Sequence, residues 1–130
     1  VKALSMKQPW GYLVQTGLKT IETRKWKTNY RGDILFVASK KIDTNFFDVV
    51  LTDQLINTHI DLDKLKNPKL GVALCIAELY DIKPMTVEHE ASAFCETYPG
   101  AYSWFLRNIR EVKPFPVTGK LSLFDVEVPL

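Results

Sequence analysis

The apolar positions change period several times along the chain, and each change predicts an element. Lys2 to Met6 reads as a short strand. After Pro9, whose missing amide suits a first helical position, Trp10, Leu13 and Val14 recur at helical spacing, and Gly17 is placed to stop the helix in a left-handed conformation. Thr20 to Trp26 then alternates, with Ile21, Thr23 and Lys25 on one face and Thr20, Glu22, Arg24 and Trp26 on the other. Arg31-Gly32-Asp33 predicts a turn, and the almost wholly apolar run Ile34 to Ser39 predicts a central strand.

From Asp43 onward, Phe47, Val50, Leu51, Gln54 and Leu55 fall at helical spacing and predict one helix to about Thr58, capped by Asp43 or Thr44. Asp61 to Lys69 is polar, with one helical turn ahead of Pro68. Gly71 to Ile82 is the longest strand candidate, ended by Pro84. Thr86 is placed to cap a short helix over Val87 to Phe94, and Tyr98 to Ala101 predicts a turn. Tyr102 to Val112 reads as a strand with a bulge, and Gly119 to Val128 gives one or two edge strands.

About six strands and three helices without a regular βαβ period predict an α+β fold rather than a doubly wound sheet. The strands are short and rich in Val, Ile and Phe, and closing them into a small β-barrel with flanking helices would hide their edges. At 130 residues the chain is the size of one domain. A hydrophobic fraction of 46% is enough to fill a core and argues against disorder. No apolar run approaches the roughly 20 residues a membrane span needs. The first residues show no signal-peptide pattern, so cytoplasmic placement, or nuclear in a eukaryote, is the default expectation.

The net charge of +2 conceals an asymmetry. Residues 1–41 carry nine basic and two acidic groups, and the other 89 carry eight basic and thirteen acidic. A positive face interleaved with aromatics is what a phosphate-bearing partner would meet. Metal chemistry finds no support: Cys75 and Cys95 lack Cys-x-x-Cys spacing, and His59 and His89 stand outside any HxH or HExxH pattern. The thiols read as free and buried, no metal or cofactor is expected, and the nucleotide-binding glycine loops are absent.

The densest polar and aromatic constellation runs from Ser5 to Trp10, through Gly17 to Arg24, to Trp26 and Arg31-Gly32-Asp33. A short helix that reverses the chain brings Lys7 and Lys19 to one end of the fold, and Glu22 and Arg24 share a strand face. Lys19, Glu22 and Arg24 suit a planar polar group, with Trp10 or Trp26 to stack on it. The same trio also fits an ion-pair network with no ligand.

The run Ser5-x-x-x-Pro9-Trp10 followed by Gly17-x-Lys19-x-x-Glu22-x-Arg24 closely resembles the start of the ASCH domain, the homology domain of the activating signal cointegrator proteins. Leu4 to Trp10, Arg31-Gly32-Asp33 with its apolar strand, Ala38 to Lys41 and the glycine-led strand from Gly71 resemble the cointegrator branch. The resemblance implies a PUA-like barrel over residues 1–130, with a cleft beside the first helix that binds RNA or other nucleic acid. Some small bacterial members of the wider group are amidohydrolases that deacetylate N4-acetylcytidine. In them the lysine matching Lys19 is an acid/base residue, and a threonine nucleophile occupies the position that is Glu22 here. A carboxylate does not replace a hydroxyl as acyl acceptor, because the anhydride it forms is a different intermediate. Thr23 is expected on the opposite strand face, and Glu88, Glu90 and Glu96 are equal candidates for the later glutamate of those enzymes.

The leading expectation is therefore a non-enzymatic RNA-binding module with a basic cleft lined by Ser5, Lys7, Gln8, Trp10, Lys19, Glu22, Arg24 and Trp26. Lys7, Arg31, Lys40 and Lys41 are expected to contact phosphates, while Gln8, Lys19, Glu22 and Arg24 read a base edge. The alternative is a hydrolase acting on modified cytidine or RNA, with Glu22 as general base and Lys19 as its partner; their proximity should lower the Glu22 pKa and raise that of Lys19. A protein-interaction role through the aromatic surface, with partners in a transcription or translation complex, is the third expectation.

Overall fold

The computed structural model describes residues 1–50, 52–55 and 58–129. Its elements are β1 (Lys2–Gln8), α1 (Trp10–Gln15), β2 (Ile21–Arg24), β3 (Gly32–Ile42), α2 (Phe46–Val49), α3 (Thr52–Leu55), α4 (Leu62–Lys66), β4 (Ala73–Pro84), a 3-10 turn (Val87–His89), α5 (Glu90–Ala93), β5 (Tyr102–Glu111) and β6 (Phe124–Asp125). The six strands form one mixed sheet in the order β2-β5-β4-β3-β1-β6. β1 and β3 are parallel, and the other neighbouring pairs are antiparallel.

The run Ile34 to Ala38 is central, as its composition predicts. Ile34, Phe36 and Ala38 join Leu4, Met6 and Trp104 in one core cluster, while Leu35 and Val37 join Ala3 and Phe124 in another. A strand covered on both faces has no polar side to show, which explains the absence of alternation. Trp104, at 0% exposure, anchors the larger cluster and donates its indole N–H to the Trp26 carbonyl at 3.2 Å.

The expected barrel is overturned, because the sheet is open. β2 pairs with β5 and β6 pairs with β1, with no ladder between β2 and β6 among the described residues. The edges are managed by brevity: β2 has four residues and β6 only two. Such short edges offer little template for pairing, so closure is not needed to protect them. Bulges between Ile76 and Glu78 and between Leu79 and Asp81 break the register of the long β4–β5 pair.

The single helix expected from Asp43 is two short ones. Val50, with extended backbone at φ −89° and ψ 114°, follows α2 directly, and the β-branched pair Val49-Val50 is a weak continuation for a helix. Leu51 lies outside the described residues. Neither Asp43 nor Thr44 occupies the cap, which is Asn45. Asp43 instead accepts from the Asn45 N–H through Oδ1 and from the Trp10 indole through Oδ2. Thr86 does cap the turn before α5, in a reciprocal box in which His89 Nδ1 accepts from the Thr86 N–H at 3.1 Å. No helix among the described residues is long and apolar enough to cross a membrane.

Candidate functional site

The C-terminal ends of β1 and β3 run side by side past the N-terminus of α1 and the edge strand β2. There they bound an open cavity of about 1020 Å³. β1 supplies Ser5 and Lys7, α1 supplies Trp10, and β3 supplies Lys40 and Lys41. Lys19 enters after Gly17 (φ +84°), a left-handed position that favours glycine and turns the chain out of α1. β2 then delivers Glu22, Thr23 and Arg24, and Trp26 follows.

Lys19, Glu22 and Arg24 converge as the motif suggests. Lys19 is 2% exposed; its ammonium donates to the Ala93 carbonyl at 2.6 Å and lies 3.6 Å from Glu22 Oε1. It also stands 5.1 Å from the centroid of the Trp10 ring. The Glu22 carboxylate accepts from the Thr23 N–H at 2.9 Å and from Arg24 Nη2 at 3.1 Å. Arg24 Nη2 donates in addition to the Ser5 carbonyl at 3.0 Å, tying β2 to β1 across the cavity.

Burial favours the neutral form of Glu22, but Arg24, Lys19 and the Thr23 N–H together outweigh it, so the carboxyl lies below its ordinary range. Burial also dominates at Lys19 and pulls its pKa down, although Glu22 works in the other direction. The expected rise at Lys19 is therefore reversed, because desolvating the ammonium outweighs one nearby carboxylate.

Ser5, Lys7, Trp10, Lys19, Glu22, Arg24, Trp26, Lys40 and Lys41 all border this cavity, while Gln8 and Arg31 do not. Gln8 is 1% exposed and holds the fold: its Oε1 accepts from the Tyr12 N–H at 2.9 Å, and its Nε2 donates to the Lys69 carbonyl at 2.9 Å. It lies beside Tyr12, Lys69 and Leu74 in a separate pocket, away from the cleft. Arg31 spends its guanidinium on the Thr28 and Tyr30 carbonyls, both at 2.8 Å, and so braces its own turn. Arg31 remains exposed and lies outside the cavity lining.

Strand alternation holds for Thr23, which shares the face of Ile21, yet its side of β2 also borders the cavity because β2 is an edge. Tyr98 donates to Thr23 Oγ1 at 3.0 Å, and Cys95 Sγ lies 3.8 Å from the same hydroxyl. None of Glu88, Glu90 and Glu96 borders the cavity, and Glu90 accepts from the Thr97 N–H at 2.7 Å. Cys95 is half-buried rather than buried, and Cys75 is buried; both are free thiols.

Sequence reasoning missed Met6, Ser39, Cys95, Tyr98 and the segment Thr118 to Ser122, the last three of which form the far wall. Those three lie some 70 to 120 positions from the motif, and no local periodicity links them to it. Lys120 was the one visible signal, a cation in a polar tail. With it, the cavity lining holds six cationic side chains and one acidic one. Among the described residues, Lys7, Lys40, Lys41 and Lys120 form no ion pair, whereas Arg107 and Arg110 are paired with Glu78 and Asp33. No group of three or more His, Cys, Asp or Glu among the described residues could hold a metal ion.

Similar folds occur in ASCH from Zymomonas mobilis. One crystal structure superposes with a TM-score of 0.64 at 14% identity, covering 97% of this chain and 87% of that one. A Ser-to-Ala variant of that organism's protein gives 0.60 at 13% identity, with the same coverages. At such identity the likeness speaks for the fold alone. No curated protein sequence matches the chain. The ASCH domain model matches residues 4–116, from the first buried strand through Pro116. The chain belongs to the ASCH domain family.

Proposed function

We propose that this chain is a nucleic-acid-binding module that takes an RNA strand in the basic cleft beside α1. The observation that carries the reading is the rim: Lys7, Lys40, Lys41 and Lys120 surround one cavity and have no acidic partner among the described residues. Four unneutralised ammonium groups repel one another, and a polyphosphate backbone relieves that repulsion while releasing counterions. Deeper in, Lys19 and Arg24 neutralise Glu22 and leave a net cationic floor. Trp10 and Trp26 supply half-buried rings against which an unstacked base can rest. A single strand suits this arrangement, since its bases are free to enter.

The test is a titration of isotope-labelled protein with a short single-stranded RNA, followed by NMR. The Trp10 and Trp26 indole signals and the Lys40 and Lys41 amides should shift together, while Tyr80 and Arg107 on the far part of the sheet stay in place. Shifts confined to the far surface would remove the cleft from the account.

A second reading, hydrolysis of a modified cytidine or of RNA, draws on the lowered pKa of Lys19, the direction a proton-transfer residue needs. Against it, both Glu22 oxygens are committed and its pKa is held low, which disfavours a general base. The protein should release no cytidine from N4-acetylcytidine; turnover near 1 per second, about the ordinary enzymatic range, abolished by Glu22→Gln, would reverse the ranking.

A further inference from the structure

The segment Thr118 to Ser122 comes from the far end of the chain, yet every one of its residues borders the cleft. Among the described residues its backbone is tied at its two ends. Before it, the Val117 N–H donates to the Gly71 carbonyl at 3.0 Å; after it, Phe124 and Asp125 pair with β1. Between those anchors no backbone hydrogen bond ties it to another described residue. Its middle lies close on β1: a Cβ added to Gly119 would stand 2.5 Å from Ser5 Oγ and 3.1 Å from Ser5 Cβ, so a side chain there would have to displace Ser5. Ser122, at φ +57°, turns the chain back toward β6.

Leu121 sits between these two positions and is 95% exposed. A single exposed leucine is ordinary on a protein surface. This one borders a cavity that already contains Trp10 and Trp26, beside an ammonium group, Lys120, with no acidic partner among the described residues. Apolar side chain next to cation, on the rim of an aromatic-lined cleft, is the pairing that suits base and phosphate of one nucleotide. Its neighbours Leu123 and Phe124 are covered by the core, so the fold has no use for Leu121 itself.

We infer that Thr118 to Ser122 is a ligand-contacting strap, in which Leu121 packs on a base of the bound single strand and Lys120 meets its phosphate. This rests on the RNA reading of the cleft and adds to it two binding residues and a wall that the family motif does not contain. The strap has few bonds to break when it moves onto a ligand, and Gly119 keeps it in register with Ser5.

The experiment is fluorescence anisotropy with a labelled ten-nucleotide oligouridine, comparing the wild type with Leu121→Ala, Lys120→Ala and the double variant Lys40→Ala/Lys41→Ala. Because Leu121 is exposed, its truncation should leave the melting temperature unchanged. Leu121→Ala should weaken binding about tenfold, or ~1.4 kcal/mol, with the salt dependence intact. Lys120→Ala should make the slope of log K against log salt shallower by about 0.7, one single-strand phosphate contact. Should Leu121→Ala bind within twofold of wild type while Lys40→Ala/Lys41→Ala binds weakly, the strap is refuted and the cleft reading survives. Should wild-type protein fail to bind at low salt, the cleft reading falls and the strap with it.

Discussion

Lys19 and Glu22 are held 3.6 Å apart at 2% and 10% side-chain exposure, each with further partners that the other does not share. Lys19 also reaches the carbonyl of Ala93, the last residue of α5, and Glu22 reaches Arg24, which reaches β1. The pair therefore joins three parts of the cleft wall. Removing one charge from such a pair leaves the other buried and uncompensated, at a cost of about 3–5 kcal/mol. Glu22→Gln should lose stability on that scale in chemical denaturation. A loss under 1 kcal/mol would mean that water reaches the pair.

The same pair fixes a pH dependence. Glu22 has a folded pKa below its ordinary value of 4.5, so the unfolded chain binds more protons than the folded one in that region. Its contribution is present above 4.5 and is lost as pH falls through the depressed folded value. Lys19 is lowered from 10.5, so here too the unfolded chain holds the extra proton, and stability rises with pH between the folded value and 10.5. Glu22→Gln should flatten the acid limb of stability against pH; an unchanged acid limb would contradict this assignment.

The two thiols should differ in reactivity. Burial, aided by Glu111, pushes the Cys75 thiol up to about 12, and thiol rather than thiolate is unreactive. Cys95 is half-buried and borders the cleft. Iodoacetamide should modify Cys95 alone in the native protein, as read by peptide mass, and a saturating oligonucleotide should slow that reaction. Modification of Cys75 at a comparable rate would show that the core opens readily.

Helix α1 is seated closely on β4. A Cβ at Gly11 would lie 2.6 Å from Leu74 Cδ1 and 3.2 Å from Gln8 Oε1. Since Leu74 is itself only 2% exposed, Gly11→Ala should destabilise by about 1–3 kcal/mol, measured by thermal melting. A neutral result would require Leu74 to turn aside freely.

Local pattern made most of the elements legible. The alternating stretch, of which Ile21–Arg24 forms β2, the uninterrupted run from Ile34 and the Thr86 cap each depend on neighbours in sequence. The Lys19, Glu22 and Arg24 convergence was legible for the same reason, since all three lie within six positions on one turn and strand. Sheet closure was not, because it depends on whether β2 and β6 meet, and no residue in either encodes that. Gln8 and Arg31 carry polar groups that look available in sequence, but the carbonyls that take their donors belong to other segments or to the turn itself. Lys120 and Leu121 are brought to the cleft by long-range anchors on either side, Val117 on Gly71 and β6 on β1.

That the lysines of the rim bind a nucleic-acid backbone is tested most directly by the salt dependence of RNA affinity. With Lys7, Lys40, Lys41 and Lys120 each neutralising one phosphate, a labelled single-stranded RNA should bind with log K falling against log salt at a slope of about −3, from roughly 0.7 per contact. Lys40→Ala/Lys41→Ala should bring it to about −1.4 on the same basis. A slope near zero, or no binding at low salt, would contradict the account.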